Sequence, residues 1–114
     1  MKKEYVDYLE DIINAINDIE HFIEGMDASA FFDDRKTINA VIRSLEIIGE
    51  ASKKIPENIK KKHPEIPWKS IAGMRDKLIH EYFGVDLGMV WLVVVKEIPE
   101  LKEKILRIKN ELEV

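Results

Sequence analysis

The chain has 114 residues, a formal net charge of −4, 46% hydrophobic side chains and no cysteine. That is enough apolar material for one modest core in one domain spanning 1–114. It excludes disulfides, thiol nucleophiles and cysteine metal sites. No stretch approaches the roughly 20 apolar residues of a membrane span, and Met1-Lys2-Lys3-Glu4-Tyr5 leads into a charged periodic segment, not a signal-peptide core, so a soluble, cytoplasmic protein with no membrane contact is expected.

Tyr5, Tyr8, Leu9, Ile12, Ile16, Ile19 and Ile23 recur every three or four residues, which predicts a helix from about residue 3 to 25 with one apolar stripe. Gly25 ends it. Asp27 to Asp33 form a connection with capping candidates, after which Ile38, Val41, Ile42, Leu45 and Ile48 carry a second long helix to about Lys54. Pro56 suits the first turn of a short helix, and Pro64 and Pro67 break the chain, so 55–67 reads as a Lys-rich connector. A third helix begins near Trp68 to Ser70, turns Ile71, Met74 and Leu78 inward and ends by Gly84. In the fourth, Leu87, Trp91, Val94, Ile98, Leu101, Ile105, Ile108 and Leu112 alternate four and three, close to a heptad seam serving mainly as core. Pro99 removes an intrahelical hydrogen bond, which predicts a kink or a break there. No strand-like alternation of useful length is present. The fold expected is all-α, an antiparallel four-helix bundle with a short accessory helix.

Charge is unevenly spread along this bundle. Residues 1–52 carry a net −7, residues 53–80 a net +5 and residues 81–114 a net −2, so a polyanion would be drawn to the middle third. A solvated lysine-rich loop is the plainer meaning of Lys60-Lys61-Lys62. Lys and Glu number 14 each, Ile 17, and Gln is absent, a composition that leans towards a thermophile. His21, His63 and His80 lack the close spacing of a metal-binding helix, so no structural zinc is expected. His21 and His63 read as surface residues, and Trp68 and Trp91 as core anchors.

The basic segment ends in Gly73-Met74-Arg75-Asp76-Lys77-Leu78-Ile79-His80-Glu81-Tyr82. Here a guanidinium that fits phosphate, an imidazole that titrates near neutrality and a phenol fall within eight residues. The spacing is equally compatible with a solvated Arg and an i, i+4 contact between Asp76 and His80. At 100° per residue, Arg75 lies about 40° from Ile71, whereas His80 lies about 180° away. The two are thus about 140° apart on a straight helix. Either the helix unwinds near His80, or Arg75 wraps round and the same residues of a second subunit complete the site across a two-fold axis. Neither Arg75 nor His80 is expected to be needed for packing. Glu50, between small residues, reads preferentially as a solvent group at a close helix crossing, with a polar contact to the site as the other reading.

The order Ile47-Ile48-Gly49-Glu50-Ala51, Ile66-Pro67-Trp68, Ile71-Ala72-Gly73-Met74-Arg75-Asp76 and Leu78-Ile79-His80-Glu81-Tyr82 resembles the HepT-like branch of the HEPN superfamily over nearly the whole chain. The motif Arg, four residues, His, one residue, Tyr is met by Arg75, His80 and Tyr82. The resemblance implies an all-helical homodimer acting as a metal-independent endoribonuclease toxin, without cofactor, on RNA such as tRNA. It also implies a minimal nucleotidyltransferase antitoxin, MntA-like, that transfers AMP to Tyr82. Asp76 departs from the Asn common after the motif Arg and places a carboxylate in a supporting position beside the pair. The residue types suit the chemistry, because RNA supplies its own nucleophile, the 2′-OH. Cleavage then needs a general acid or base, for which His80 qualifies, and a cation for the charge building on phosphorus, for which Arg75 qualifies. Two other readings stay open: a nucleotide- or nucleic-acid-binding module that does not cleave, and a structural subunit of a partner enzyme.

Overall fold

The computed structural model describes residues 4–80 and 86–112, and the side chains of Glu4, Ile79 and His80 fall outside that description. Four long helical runs form the body. α1 is Glu4–Phe22, α3 is Arg35–Lys53, α5 is Trp68–His80, and the last run comprises α6, Leu87–Leu92, a π-helical turn, Val93–Glu97, and α7, Ile98–Leu112. Two short helices, α2 at Ala28–Phe32 and α4 at Glu57–Lys62, join them. The packing order is α1 on α3, α3 on α5 and α1 on α7, an all-α bundle as the periodicity requires.

Each apolar stripe is buried as its spacing dictates. Leu9, Ile12, Ile16 and Ile19 of α1 face Val41, Leu45 and Ile48 of α3 in the core. The four-three seam of the last run supplies Val94, Ile98, Leu101, Ile105 and Ile108, all buried. The chain stops and starts where its caps allow. Gly25, at φ 78°, takes the left-handed conformation that a side chain disfavours, after α1. Asp34 accepts from the Thr37 amide at 3.1 Å to start α3, and that bond holds its carboxyl below the usual carboxylate range.

Three expectations change. The 27–33 connection holds α2, capped by Asp27 accepting from the Ala30 amide at 2.9 Å, and it inserts Phe31 fully into the core, its ring 5.1 Å from that of the half-buried Trp91. Of the kink or break expected at Pro99, the break does not occur. Just before it, the Ile98 N–H donates to Val93 O, one residue further back than in an α-helix. The ladder widens into a π turn ahead of the proline, and the chain stays helical. His63 is mostly buried: its Nδ1 lies 3.4 Å from Glu65 Oε2 and its Nε2 3.9 Å from Glu111 Oε1. Its carbonyl accepts from Trp68 Nε1 at 3.1 Å. The histidine therefore ties the connector to both α5 and the end of α7.

Candidate active site around Arg75

The site begins with a glycine. Gly49 sits in α3 where α5 crosses, and a Cβ there would collide with Arg75 Cβ, lie 2.9 Å from Arg75 Cγ and 3.1 Å from the Ile71 carbonyl oxygen. Only a residue without a side chain lets the two backbones approach this closely. The next residue, Glu50, is thereby brought against Arg75, and its Oε1 stands 2.7 Å from Arg75 Nη2. Both readings of Glu50 were partly right: the crossing is close, and the carboxylate is a partner of the site residue.

Arg75 is held on its other side as well. Nη1 donates to Asp76 Oδ1 at 3.1 Å, and Lys53 Nζ donates to the same oxygen at 2.7 Å. The chain Lys53–Asp76–Arg75–Glu50 thus alternates in sign across α3 and α5. Hydrogen bonds from Lys53 first, and then from Arg75, hold the Asp76 carboxyl below the usual carboxylate range. The bond to Asp76, with Glu50 adding to it, raises the already basic Arg75 further. Arg75 Nε is buried without a hydrogen-bond partner among the described residues. Arg75 is accordingly part of the α3–α5 junction, which corrects the expectation that packing does not need it.

The guanidinium opens on a cleft of about 170 Å³ walled by Tyr8 and Asp11 of α1, Arg43, Glu46, Ile47 and Ala51 of α3, and Lys54. A larger groove of about 330 Å³ between α5 and the last run is bordered by Ile71, Met74, Met89, Val93 and Leu101 and does not reach Arg75.

The α5 backbone is helical through His80, so no unwinding upstream of His80 turns it towards Arg75. The separation of about 140° expected from helical phase persists along this backbone. The His80 side chain and all of Tyr82 lie outside the described residues.

With this geometry in place, comparison with known proteins decides the family. A profile described as "Ribonuclease HepT-like" matches residues 12–108. The chain belongs to the HepT-like ribonuclease family. It is 54% identical over 110 residues to a Thermococcus cleftensis protein named "Probable ribonuclease HepT", covering 96% of this chain and all of that one. It is 48% identical over 112 residues to a Methanocaldococcus jannaschii protein named as a "Putative RNase", covering 98% and 97% of the two chains. A protein of Caldanaerobacter subterraneus with the same style of name is 47% identical over 98 residues, covering 86% and 88%. No solved structure matches significantly. Among the described residues, no helix is long and apolar enough to cross a membrane.

Proposed function

We propose that this HepT-like chain is an endoribonuclease that cuts RNA without a metal ion, with Arg75 holding the scissile phosphate and His80 moving the proton. The observation that carries this reading is the fixed Arg75. Its stem is wedged on Gly49 and its two terminal nitrogens are held by Glu50 and Asp76, at the mouth of a cleft, in a chain of a ribonuclease family. A cation that is already positioned loses little freedom when phosphate arrives and is in place for the charge that develops on phosphorus. The 2′-OH attacks phosphorus and the 5′-oxygen leaves, giving a 2′,3′-cyclic phosphate end.

Because Arg75 and His80 diverge on a helix that stays regular between them, the reading includes a homodimer in which one protomer's His80 serves the phosphate held by its partner. Met89, Leu92 and Val95, spaced three apart and all exposed, supply apolar surface for that association. By this reading the chain is a single unit, 1–114, and the toxin of a toxin–antitoxin pair acting on RNA such as tRNA. A minimal nucleotidyltransferase silences it by attaching AMP to Tyr82.

The test is incubation of the purified protein with bulk tRNA in EDTA. Cleavage to cyclic phosphate ends by the wild type, lost in both Arg75→Lys and His80→Ala, is the expected result. Arg75→Lys is used because it keeps a cation beside Glu50 and Asp76 while removing the fork that grips phosphate. Undiminished cleavage by either variant would refute the assignment.

A further inference from the structure

Beside Arg75, the cleft has features that phosphate binding alone does not require. Tyr8 of α1 forms one wall, and Ile47 and Ala51 of α3 give an apolar floor. The cations around it differ in their engagement. Arg43 pairs with Glu46 at 3.3 Å and Arg75 with Glu50 at 2.7 Å. Lys54 has no carboxylate partner among the described residues, and its Nζ lies over the Tyr8 ring, 5.6 Å from the centroid. An exposed lysine on an aromatic face is held only weakly, so a planar ligand can displace it while its ammonium turns to an anion.

We propose that this cleft is the subsite for the nucleotide adjoining the scissile phosphate, with the base stacked on Tyr8 and the neighbouring phosphate taken by Lys54. The assignment rests on the ribonuclease reading for its biological meaning, but the cleft's own chemistry points the same way. About 170 Å³ is well below the roughly 300–1,000 Å³ of pockets that enclose drug-sized ligands, and it suits a single ring system whose sugar and phosphate lie outside. An aromatic wall is a platform that any base can use, while Asp11 and Glu46 in the lining can accept from the amino groups on base edges. The same cleft holds Arg75, so a phosphate on the guanidinium and a base on Tyr8 belong to one stretch of RNA.

Two measurements test it. In the first, AMP, ribose 5-phosphate and inorganic phosphate are titrated separately into the wild-type protein while the aromatic proton resonances of Tyr8 are followed by NMR. AMP should shift them by ring-current effects and bind at least several-fold tighter than ribose 5-phosphate. Equal binding of all three would make this an anion site only and overturn the proposal, as would Tyr8 resonances that AMP leaves unmoved. In the second, RNA cleavage by Tyr8→Leu and Tyr8→Phe is compared. Loss of one base–aromatic stack should raise KM roughly tenfold in Tyr8→Leu, and Tyr8→Phe should restore it, a rescue that general loss of structure would not give. An unchanged KM in Tyr8→Leu refutes the subsite. The titration needs no cleavage, so AMP binding at Tyr8 in a protein that cuts no RNA sustains the cleft as a nucleotide site and removes the ribonuclease reading, whereas cleavage without AMP binding at Tyr8 keeps the ribonuclease reading and overturns the subsite.

Discussion

Replacing Gly49 with alanine tests the junction on which the site is built. The new methyl would collide with Arg75 Cβ, with Arg75 Cγ at 2.9 Å and the Ile71 carbonyl oxygen at 3.1 Å. One obstacle is the root of a side chain and another is backbone, so neither can swing away, and α3 and α5 must part. Overpacking of this kind costs about 1–3 kcal/mol, and a collision with a Cβ puts it at the upper end. Alanine returns about 1 kcal/mol of helix propensity relative to glycine, leaving a net loss of about 2 kcal/mol. For a chain of this size that lowers Tm by roughly 8 °C. Gly73 is the internal control. It lies within α5, exposed, with nothing within 4 Å of an added Cβ, so Gly73→Ala should gain about 1 kcal/mol by propensity alone. Thermal unfolding followed by circular dichroism separates the two, and RNA cleavage should fall in Gly49→Ala because Arg75 moves with α5. A Gly49→Ala protein as stable as the wild type would refute the close-crossing argument.

Acid should dissolve the contribution of Asp76. Its folded-state pKa lies below the unfolded value because Lys53 and Arg75 bind the carboxylate, so its stabilisation is present at neutral pH and is lost as pH falls below about 4. The Tm difference between wild type and Asp76→Asn should therefore be full at pH 7 and shrink progressively as pH falls below about 4 and through the lowered folded-state pKa, and a difference constant with pH would contradict it. On the proposed regulation, co-expression with a minimal nucleotidyltransferase should add about 329 Da per AMP, the mass of an adenylyl group, to the wild type and nothing to Tyr82→Phe, as read by intact mass, with cleavage persisting only in the variant. Leu92→Lys, which places a charge in the exposed apolar row, should yield a monomer by light scattering and lose RNA cleavage; an active monomer would show that one protomer holds a complete site.

The long helices were legible because their apolar residues repeat at the helical period over four or more turns, and burial follows that period along the middle of each stripe, loosening at ends such as Tyr5, Ile23 and the exposed Leu112. Shorter features escaped for definite reasons. α2 has five residues, too few for a period, and only the Asp27 cap announced it. Pro99 marked the right place, but the remedy, a π turn before it, depends on carbonyl positions that no residue type encodes. His63 looked superficial because its partner Glu111 is 48 positions away in the chain. Arg75 was found by motif, yet its structural role was hidden, since Glu50 lies 25 positions earlier and meets it only where α3 crosses α5. The clue in the sequence was Gly49 and Ala51 flanking Glu50, small residues beside a charge, which signals backbones drawn close around a polar contact.

That arrangement also bears on why a carboxylate follows the motif arginine. Asp76 points its Oδ1 at both Arg75 and Lys53, so the residue beside the motif arginine is spent on a cross-link between α5 and α3. An uncharged amide oxygen could accept both bonds, having two lone pairs, but would leave two cations, Lys53 and Arg75, facing each other without an anion between them. Asp76 therefore holds the guanidinium in place while lowering the positive charge around it. An incoming phosphate has to compete with Glu50 and Asp76 for the same two nitrogens. On the proposed reading, the cost in affinity that this competition implies falls on phosphate binding at Arg75, and the additional hold of a base on Tyr8, outside the charge network, would offset it without disturbing the junction.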